Sequence, residues 1–265
     1  MKSLALFALS AISTAAMAAT PAPSSGISIT GTSNQTVSVS GGNVTNDATS
    51  YSFANQNIGS NKGNVTIHGS STQISNLENS DVTNKAKHAG DVAMQNLASN
   101  VGSVSVDGKI QLFPPKWIAG TSEQTANVSG STVKNEANGS QGCNGNNCND
   151  AALAYQNLAS NMGNIDIDGT SKQTVGVSGG SMVKNKADGP QTQAVQNLSS
   201  NYGNVSIAGA STQTTWVTNG AVIANLAKGR AAHAVQNIAS NDSCDPPPTV
   251  CVGVACGQYR VAGNP

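Results

Sequence analysis

Short runs in which apolar and polar residues alternate occur along most of the chain, and Gly, Asn and Ser separate them. Alternation with a period of two predicts β-strands that bury one face. One copy of the pattern has four runs, whose predicted inward residues are Ser171, Gln173, Val175 and Val177, then Val183, Asn185 and Ala187, then Ala194, Gln196 and Leu198, and finally Val205, Ile207 and Gly209. We predict chain reversals at Gly179-Gly180, Gly189-Pro190 and Ser199-Ser200-Asn201, because Gly and Asn tolerate positive φ.

The pattern repeats at a fixed interval, as the equal steps from Gln156 to Gln196 and on to Gln236 show. The interval is about 40 residues, a length typical of stacked or solenoid architectures. The longer step from Gln95 to Gln156 is the same interval plus two insertions, one near 109–119 and one near 140–149. The sequence therefore predicts an all-β fold, a β-solenoid of about ten strand-turn-strand rungs in five 40-residue repeats, with two inserted loops and a Cys/Pro-rich tail.

Amide side chains occupy the predicted inward face at the same positions in every copy. Stacked copies would place Gln over Gln and Asn over Asn, in columns where the amides bond to one another and so offset their burial. These candidate ladder residues are Gln35, Asn46, Gln56, Gln73, Asn84, Gln95, Gln124, Asn135, Gln156, Gln173, Asn185, Gln196, Gln213, Asn225 and Gln236. The alternative is a polar low-complexity segment without a fixed fold. We favour the folded interpretation because Val and Ile keep phase with the Gln.

The two ends of the chain differ in composition from the repeats. Residues 1–18 contain a Lys, a short apolar run and a final Ala-Met-Ala, which is typical of a secretory signal peptide. We interpret 19–26 as a leader, 27–241 as the repeats and 242–265 as the tail. This layout predicts export through the bacterial periplasm to the cell surface or the medium. No segment has the roughly 20 apolar residues that a membrane helix needs, so no membrane span is predicted.

The overall composition argues against an ordinary globular enzyme. Only 3% of the residues are aromatic and 10% are charged, so a thick core is not expected. The chain has 13 basic and 13 acidic residues, and no basic stripe runs along it. We therefore expect no nucleic-acid partner.

The insertions and the tail carry the scarce aromatic and sulfur side chains. The insertion 109–119 contains Phe113 and Trp117 together with two prolines, so we interpret it as a loop. It is a candidate recognition loop, and the alternative is a loop that packs on the side of the solenoid. The remaining insertion and the tail hold the candidates for disulfides, Cys143, Cys148, Cys244, Cys251 and Cys256. The three tail cysteines are odd in number, which leaves one thiol free, paired between chains or paired with the other loop.

Sequence motifs for catalysis are not apparent. There is no nucleophile elbow, phosphate loop or H-E-x-x-H motif, and the three histidines have no ligand spacing. Asp166 and Asp168 share an outer face with Asp107, where a carboxylate pair could hydrolyse sugars or bind calcium. Most copies have Ser, Thr, His or Ala there, which favours a solvated face. The tail cysteines lack a fourth zinc ligand, so we predict neither a metal nor a cofactor.

The motifs S-x-Q, V-x-N-x-A and A-x-Q-N, repeated behind a signal peptide, resemble those of secreted bacterial functional amyloids, the curlin subunits and the Fap fibre proteins. The resemblance covers 27–241. It departs from curlin in the longer spacing between the Gln and the Asn of a rung and in alternating two rung types. The Cys-rich tail looks more like the Fap group, whose fibre subunits carry paired cysteines near the C-terminus. Haemagglutinin-type adhesins are the second choice, because their β-solenoids have a similar Gly, Asn and Val texture.

The resemblance implies a non-catalytic subunit of an extracellular fibre that serves adhesion or a biofilm matrix. The chain begins with a fourth run at Ile27 and ends with a third run, so the tail of one copy could be completed by the head of the next. Such a contact does not close on itself and gives an open filament. The alternatives are a monomeric or surface-associated adhesin with a cell-surface or glycan ligand and, less favoured, a β-helix enzyme that degrades polysaccharides.

Overall fold

The computed structural model describes residues 27–49, 52–88, 90–107, 109–112, 115–139, 151–189 and 191–242. Every regular element in this part of the chain is a β-strand, so the predicted all-β class is confirmed. The predicted signal peptide and leader, and the tail after residue 242, lie outside the described residues.

The strands are short and follow one another closely. In chain order they are β1 (Ile27–Ser40), β2 (Asn43–Thr49), β3 (Ala54–Ile58), β4 (Asn61–Glu78), β5 (Asp81–Lys87), β6 (Ala93–Leu97), β7 (Asn100–Asp107), β8 (Lys109–Leu112), β9 (Pro115–Ile118), β10 (Gly120–Ser129), β11 (Thr132–Asn138), β12 (Ala154–Leu158), β13 (Asn161–Ile167), β14 (Gly169–Ser178), β15 (Met182–Asp188), β16 (Ala194–Leu198), β17 (Asn201–Ile207), β18 (Ser211–Val217), β19 (Val222–Lys228), β20 (Ala234–Ile238) and β21 (Asn241–Asp242).

Three parallel sheets contain nearly all of these strands. The first sheet has nine strands in the order β18-β14-β10-β4-β7-β13-β17-β21, with β1 paired to β4. The second sheet has the order β19-β15-β11-β5-β2, and the third has the order β20-β16-β12-β6-β3. Each strand of the second and third sheets therefore has its counterpart from the next copy of the sequence pattern as its neighbour.

Equivalent residues of successive copies pair in register. Asn46, Asn84, Asn135, Asn185 and Asn225 are aligned across the second sheet, at separations of 38, 51, 50 and 40 residues. In the described ranges no parallel pairing joins two runs of the same copy, whereas the predicted stack of two-run rungs would pair them. The reason is that the fourth run of one copy and the first run of the next belong to the same sheet, while the second and third runs form two further sheets.

The interior contains several apolar clusters. One consists mainly of Val and Leu from all three sheets, with Leu97, Leu158 and Val133 fully buried, and another consists of stacked Ala residues. A third packs the outer face of the third sheet against the first sheet through Met94, Tyr155, Val195, Met162 and Tyr202.

This third cluster corrects the prediction that the third run buries one face. All five residues of β16 are buried, as are those of β6 and β12. Because the rings of Tyr155 and Tyr202 cover the second face, they contribute much of the apolar area that the sequence lacks elsewhere.

The reversal predicted at Ser199-Ser200-Asn201 is also displaced. Asn201 begins β17 and is buried, and the residue with positive φ is Ser199, at 46°. Gly203, which follows the predicted reversal, lies inside β17. The same strand position holds Gly163, where an added Cβ would lie 2.8 Å from the carbonyl oxygen of Gly102. These glycines therefore allow the close approach of stacked backbones and do not reverse the chain.

The insertion at 109–119 forms strands where a loop was predicted. β8 and β9 pair antiparallel, with Ile110 opposite Trp117, and they join none of the three parallel sheets. An antiparallel pair needs only a tight connection, so it fits a short insertion between two parallel strands.

Candidate functional site: amide columns and open sheet edges

A column of Gln side chains runs through the third sheet. The Nε2 of each Gln donates to the Oε1 of the preceding copy at 2.6 to 2.8 Å. The residues are Gln56, Gln95, Gln156, Gln196 and Gln236. In Gln95 and Gln156 the Nε2 also reaches a backbone carbonyl of the second sheet. Gln95 and Gln156 are therefore paired both along the column and across the interior, which offsets the burial of their amides.

The Asn column of the second sheet has the opposite polarity. Each Nδ2 donates to the Oδ1 of the following copy, at 2.8 to 2.9 Å, from Asn46 through to Asn225. Asn135 also donates to the carbonyl oxygens of Ala93 and Tyr155 in the third sheet, at 3.0 and 2.9 Å. Each interior Asn therefore ties the second sheet to the third as well as to its own neighbours.

The Gln residues of the S-x-Q motif are in register with one another but do not bond to one another. The residues are Gln35, Gln73, Gln124, Gln173 and Gln213. Each Nε2 donates at 2.8 to 2.9 Å to an Asn that begins a strand of the first sheet. The expectation that these amides bond within their own column is therefore wrong, because another amide column lies within reach.

The Asn residues that accept these bonds form the third amide column, which sequence reasoning missed because Asn is also common in turns. It consists of Asn61, Asn100, Asn161, Asn201 and Asn241, each donating to the next at 2.7 to 3.0 Å. A fourth column, Asn57, Asn96, Asn157, Asn197 and Asn237, runs on the other face of the third sheet at 2.7 to 2.9 Å. The signal for both is the recurrence of N at the same position of every copy.

Three of the four amide columns end at terminal strands of their sheets, whereas the column from Asn61 to Asn241 begins in β4 and ends in β21. We define the head edge as β1, β2 and β3, and the tail edge as β18, β19 and β20, which are the terminal strands of their sheets apart from β21. Inward residues that are buried in interior strands are partly exposed at both edges, for example Val44 at the head and Ile223 at the tail. The head is closed in one place, since Gln56 of β3 is only 7% exposed.

The tail edge also has apolar residues on its side surface. Trp216 and Leu226 are 57% and 41% exposed. They are in register with Gly176 and Lys186 of the preceding copy. Exposed large apolar side chains in one region favour an interaction surface.

The residues considered for chemistry do not form a cluster. Asp107 accepts a hydrogen bond from Ser105 at 2.7 Å and lies 3.5 Å from His68, while Asp166 is exposed on the neighbouring strand and Asp168 follows it. Within the described ranges, no group of three His, Cys, Asp or Glu side chains is arranged to hold a metal ion.

Most of the other predicted site residues lie outside the part of the chain that the structure describes. Phe113 and the five cysteines lie outside the described residues, and Trp117 lies in β9. No helix in the described part of the chain is long and apolar enough to cross a membrane.

Asp91 is a buried carboxyl that sequence reasoning did not single out. It lies between β5 and β6, and its Oδ2 accepts the backbone N–H of His88 at 2.6 Å. Its Oδ1 is buried without a hydrogen-bond partner among the described residues. Burial raises the pKa of Asp91 to about 6, against the partial opposition of the backbone hydrogen bond.

Comparison with known proteins gives no relative. No protein-family model matches the chain, and neither a curated protein nor a solved structure is significantly similar to it. The function therefore has to be argued from the columns and the edges.

Proposed function

We propose that this chain is a non-catalytic structural subunit of an extracellular adhesive or biofilm-matrix fibre. In this proposal the three sheets are the sides of a β-solenoid with one coil for each 40-residue repeat, and fibres grow by stacking coils of successive subunits. The chain would be secreted through the bacterial periplasm, in the manner of the curlin and Fap proteins that its repeats resemble.

The observation that carries the proposal is that four amide columns run through the described sheets and that three of them end at terminal strands. In the part of the chain that the structure describes, the terminal strands β2 and β19 each have a row of backbone groups without a strand neighbour on one side. Such rows readily pair with another chain. Columns of stacked amides extend in the same way, since each added layer repeats the bonds of the last one.

Fibre growth tests the proposal directly. The mature chain, 19–265, should form unbranched fibres that bind thioflavin T and are visible by electron microscopy. X-ray diffraction from aligned fibres should give a meridional reflection at about 4.8 Å, the spacing of hydrogen-bonded strands. Analytical ultracentrifugation that finds only monomer at high concentration would contradict the proposal.

The second candidate is a monomeric or surface-associated adhesin. It is favoured by the β8–β9 hairpin, which contains Trp117 and pairs with none of the parallel sheets. Deletion of 109–119 separates the two functions. Fibres that form normally after the deletion support the subunit, whereas lost binding to cells or glycans with an unchanged β-sheet circular dichroism spectrum supports the adhesin.

A further inference from the structure

We propose that copies of this chain dock in one polarity only, with the tail edge of one copy on the head edge of the next, in the register that continues the amide columns. This inference rests on the proposed function and specifies its contact. In this register Gln213, Asn225 and Gln236 of one copy would lie against Gln35, Asn46 and Gln56 of the next.

The first argument is the direction of the Asn column in the second sheet. An interior member such as Asn135 donates to two backbone carbonyls and to the next Asn. Asn225, at the tail edge, keeps the two carbonyl bonds, to Ala194 and Val235, and lacks the third. At the head edge, Asn46 donates to Asn84, and no described residue donates to its Oδ1. Because the two Nδ2 hydrogens of Asn225 already face carbonyls, the tail would share one of them with the next copy, as Asn135 does with Asn185, and the head supplies the acceptor.

The second argument is that the Gln column of the third sheet has the reverse direction. Gln236 donates to Gln196 and leaves its Oε1 for another donor at the tail. Among the described residues, Gln56 donates only to the carbonyl oxygen of Thr83. In the other copies a Gln hydrogen also bonds the preceding Gln, and at Gln56 that bond is missing within the described ranges. If two head edges faced each other, donors would meet donors in the Gln column and acceptors would meet acceptors in the Asn column. Only the tail-to-head arrangement matches both.

The third argument is electrostatic. In the proposed register, Lys228 of the tail would lie opposite Thr49 of the next copy, two residues beyond Asp47. Inside the chain a Lys at this offset reaches Asp47 from the following strand, since Lys87 pairs with Thr49 in register and its Nζ is 3.8 Å from Asp47. Lys228, by contrast, would reach Asp47 from the preceding strand. Opposite charges at this diagonal favour the tail-to-head register over one that is shifted.

The second sheet is the place to test this contact. Ala54 and Gln56 of β3 are buried, so that part of the head has to open before another copy can pair with it. Ala48 of β2 and Ala227 of β19 are partly exposed end members of one Ala column. An Arg at either position extends beyond the last layer and blocks one edge without entering the interior.

The experiment compares Ala48→Arg and Ala227→Arg, alone and mixed in equal amounts, by light scattering after size exclusion. Each variant alone should be monomeric, because it retains one open edge that finds no partner edge. The mixture should form a dimer, since the open tail of the first fits the open head of the second. Fibre growth of either variant alone should fall at least about tenfold, as expected for a charge buried without a partner. Thr45→Arg, on the exposed side of β2, should assemble normally.

The outcomes separate this inference from the proposed function. Wild-type chain that never assembles contradicts the fibre proposal. If the wild type assembles but either variant alone forms dimers, edges of the same kind dock with each other and the single polarity is wrong. If the wild type assembles but the mixture stays monomeric, the docking surfaces lie elsewhere.

A charge exchange provides a second test, made in a Lys87→Ala background because Asp47 also pairs with Lys87 inside the chain. Asp47→Lys and Lys228→Asp should each slow fibre growth, and combining them in one chain should restore it. Failure of the double variant to recover would overturn the proposed register.

Discussion

The interior strand β11 and the tail strand β19 have the same inward pattern in different surroundings. Val133, Asn135 and Ala137 of β11 are fully buried. Their counterparts in β19, Ile223, Asn225 and Ala227, are partly exposed because no strand covers them. The local sequence therefore decides which face turns inward, while burial depends on the neighbouring copy.

The outward faces of β11 and β19 also differ, because that of β11 is charged and that of β19 is mostly apolar. Glu136 of β11 lies within 3.8 Å of Lys85 and 3.6 Å of Lys134, whereas the corresponding position of β19 is Leu226. β19, which is more exposed than β11, thus has the more apolar outward face. Selection for solubility alone would favour charge at this exposed edge, so the comparison supports a surface that is covered in the working molecule.

Removal of an interior amide should have the largest effect on stability. Asn135→Ala removes two bonds to backbone carbonyls and the bonds to Asn84 and Asn185 in a buried interior, and should lower the free energy of unfolding by about 4 kcal/mol. Asn225→Ala should lower it by only about 1 kcal/mol, because water can replace the lost bonds at the open edge. Urea unfolding monitored by circular dichroism measures both values. Equal losses would show that the tail edge is covered even in the monomer.

Shortening side chains within one aliphatic column tests the same difference between the interior and the tail edge. Leu158 is fully buried and Ile238, in register at the tail, is 42% exposed. Leu158→Ala should lower the free energy of unfolding by about 3 kcal/mol through lost burial and a cavity. Ile238→Ala should lower it by about 1 kcal/mol in the monomer. In fibres the two losses should become similar. Urea unfolding of assembled and unassembled protein measures this change.

The sequence predicts the strands and the inward residues well, because a period of two and recurring amides are local signals. It does not reveal that the runs form three parallel sheets, since the angle at each reversal decides whether they form two sheets or three. Tyr155 and Val195 read as outward residues, and their burial depends on the first sheet folding over them. Asn201 reads as a turn residue because Asn is common in turns, yet its amide is buried and hydrogen-bonded.

The buried carboxyl of Asp91 should make stability depend on pH. Its folded pKa of about 6 lies above its usual value of 3.8. The stability linked to the neutral form is therefore fully present below about pH 4 and is lost as the pH rises through 6, by about 3 kcal/mol. Asp91→Asn should remove this loss, whereas the exposed Asp166→Asn should leave it unchanged. Unfolding in urea between pH 4 and 7 tests the slope, and an unaltered slope in Asp91→Asn would assign it to another group.

The smallest effect is expected for an amide pair on the side surface. Asn127 donates to Asn76 at 2.8 Å, the same distance as from Asn135 to Asn185, but Asn127 is exposed to solvent. Because water competes for these groups, Asn127→Ala should change the free energy of unfolding by less than about 0.5 kcal/mol. A loss as large as that of Asn135→Ala would mean that alignment of amides stabilises the chain irrespective of burial. In that case every column, inside or outside, would contribute to the stacking of copies, and the difference between interior and surface would no longer explain the fold.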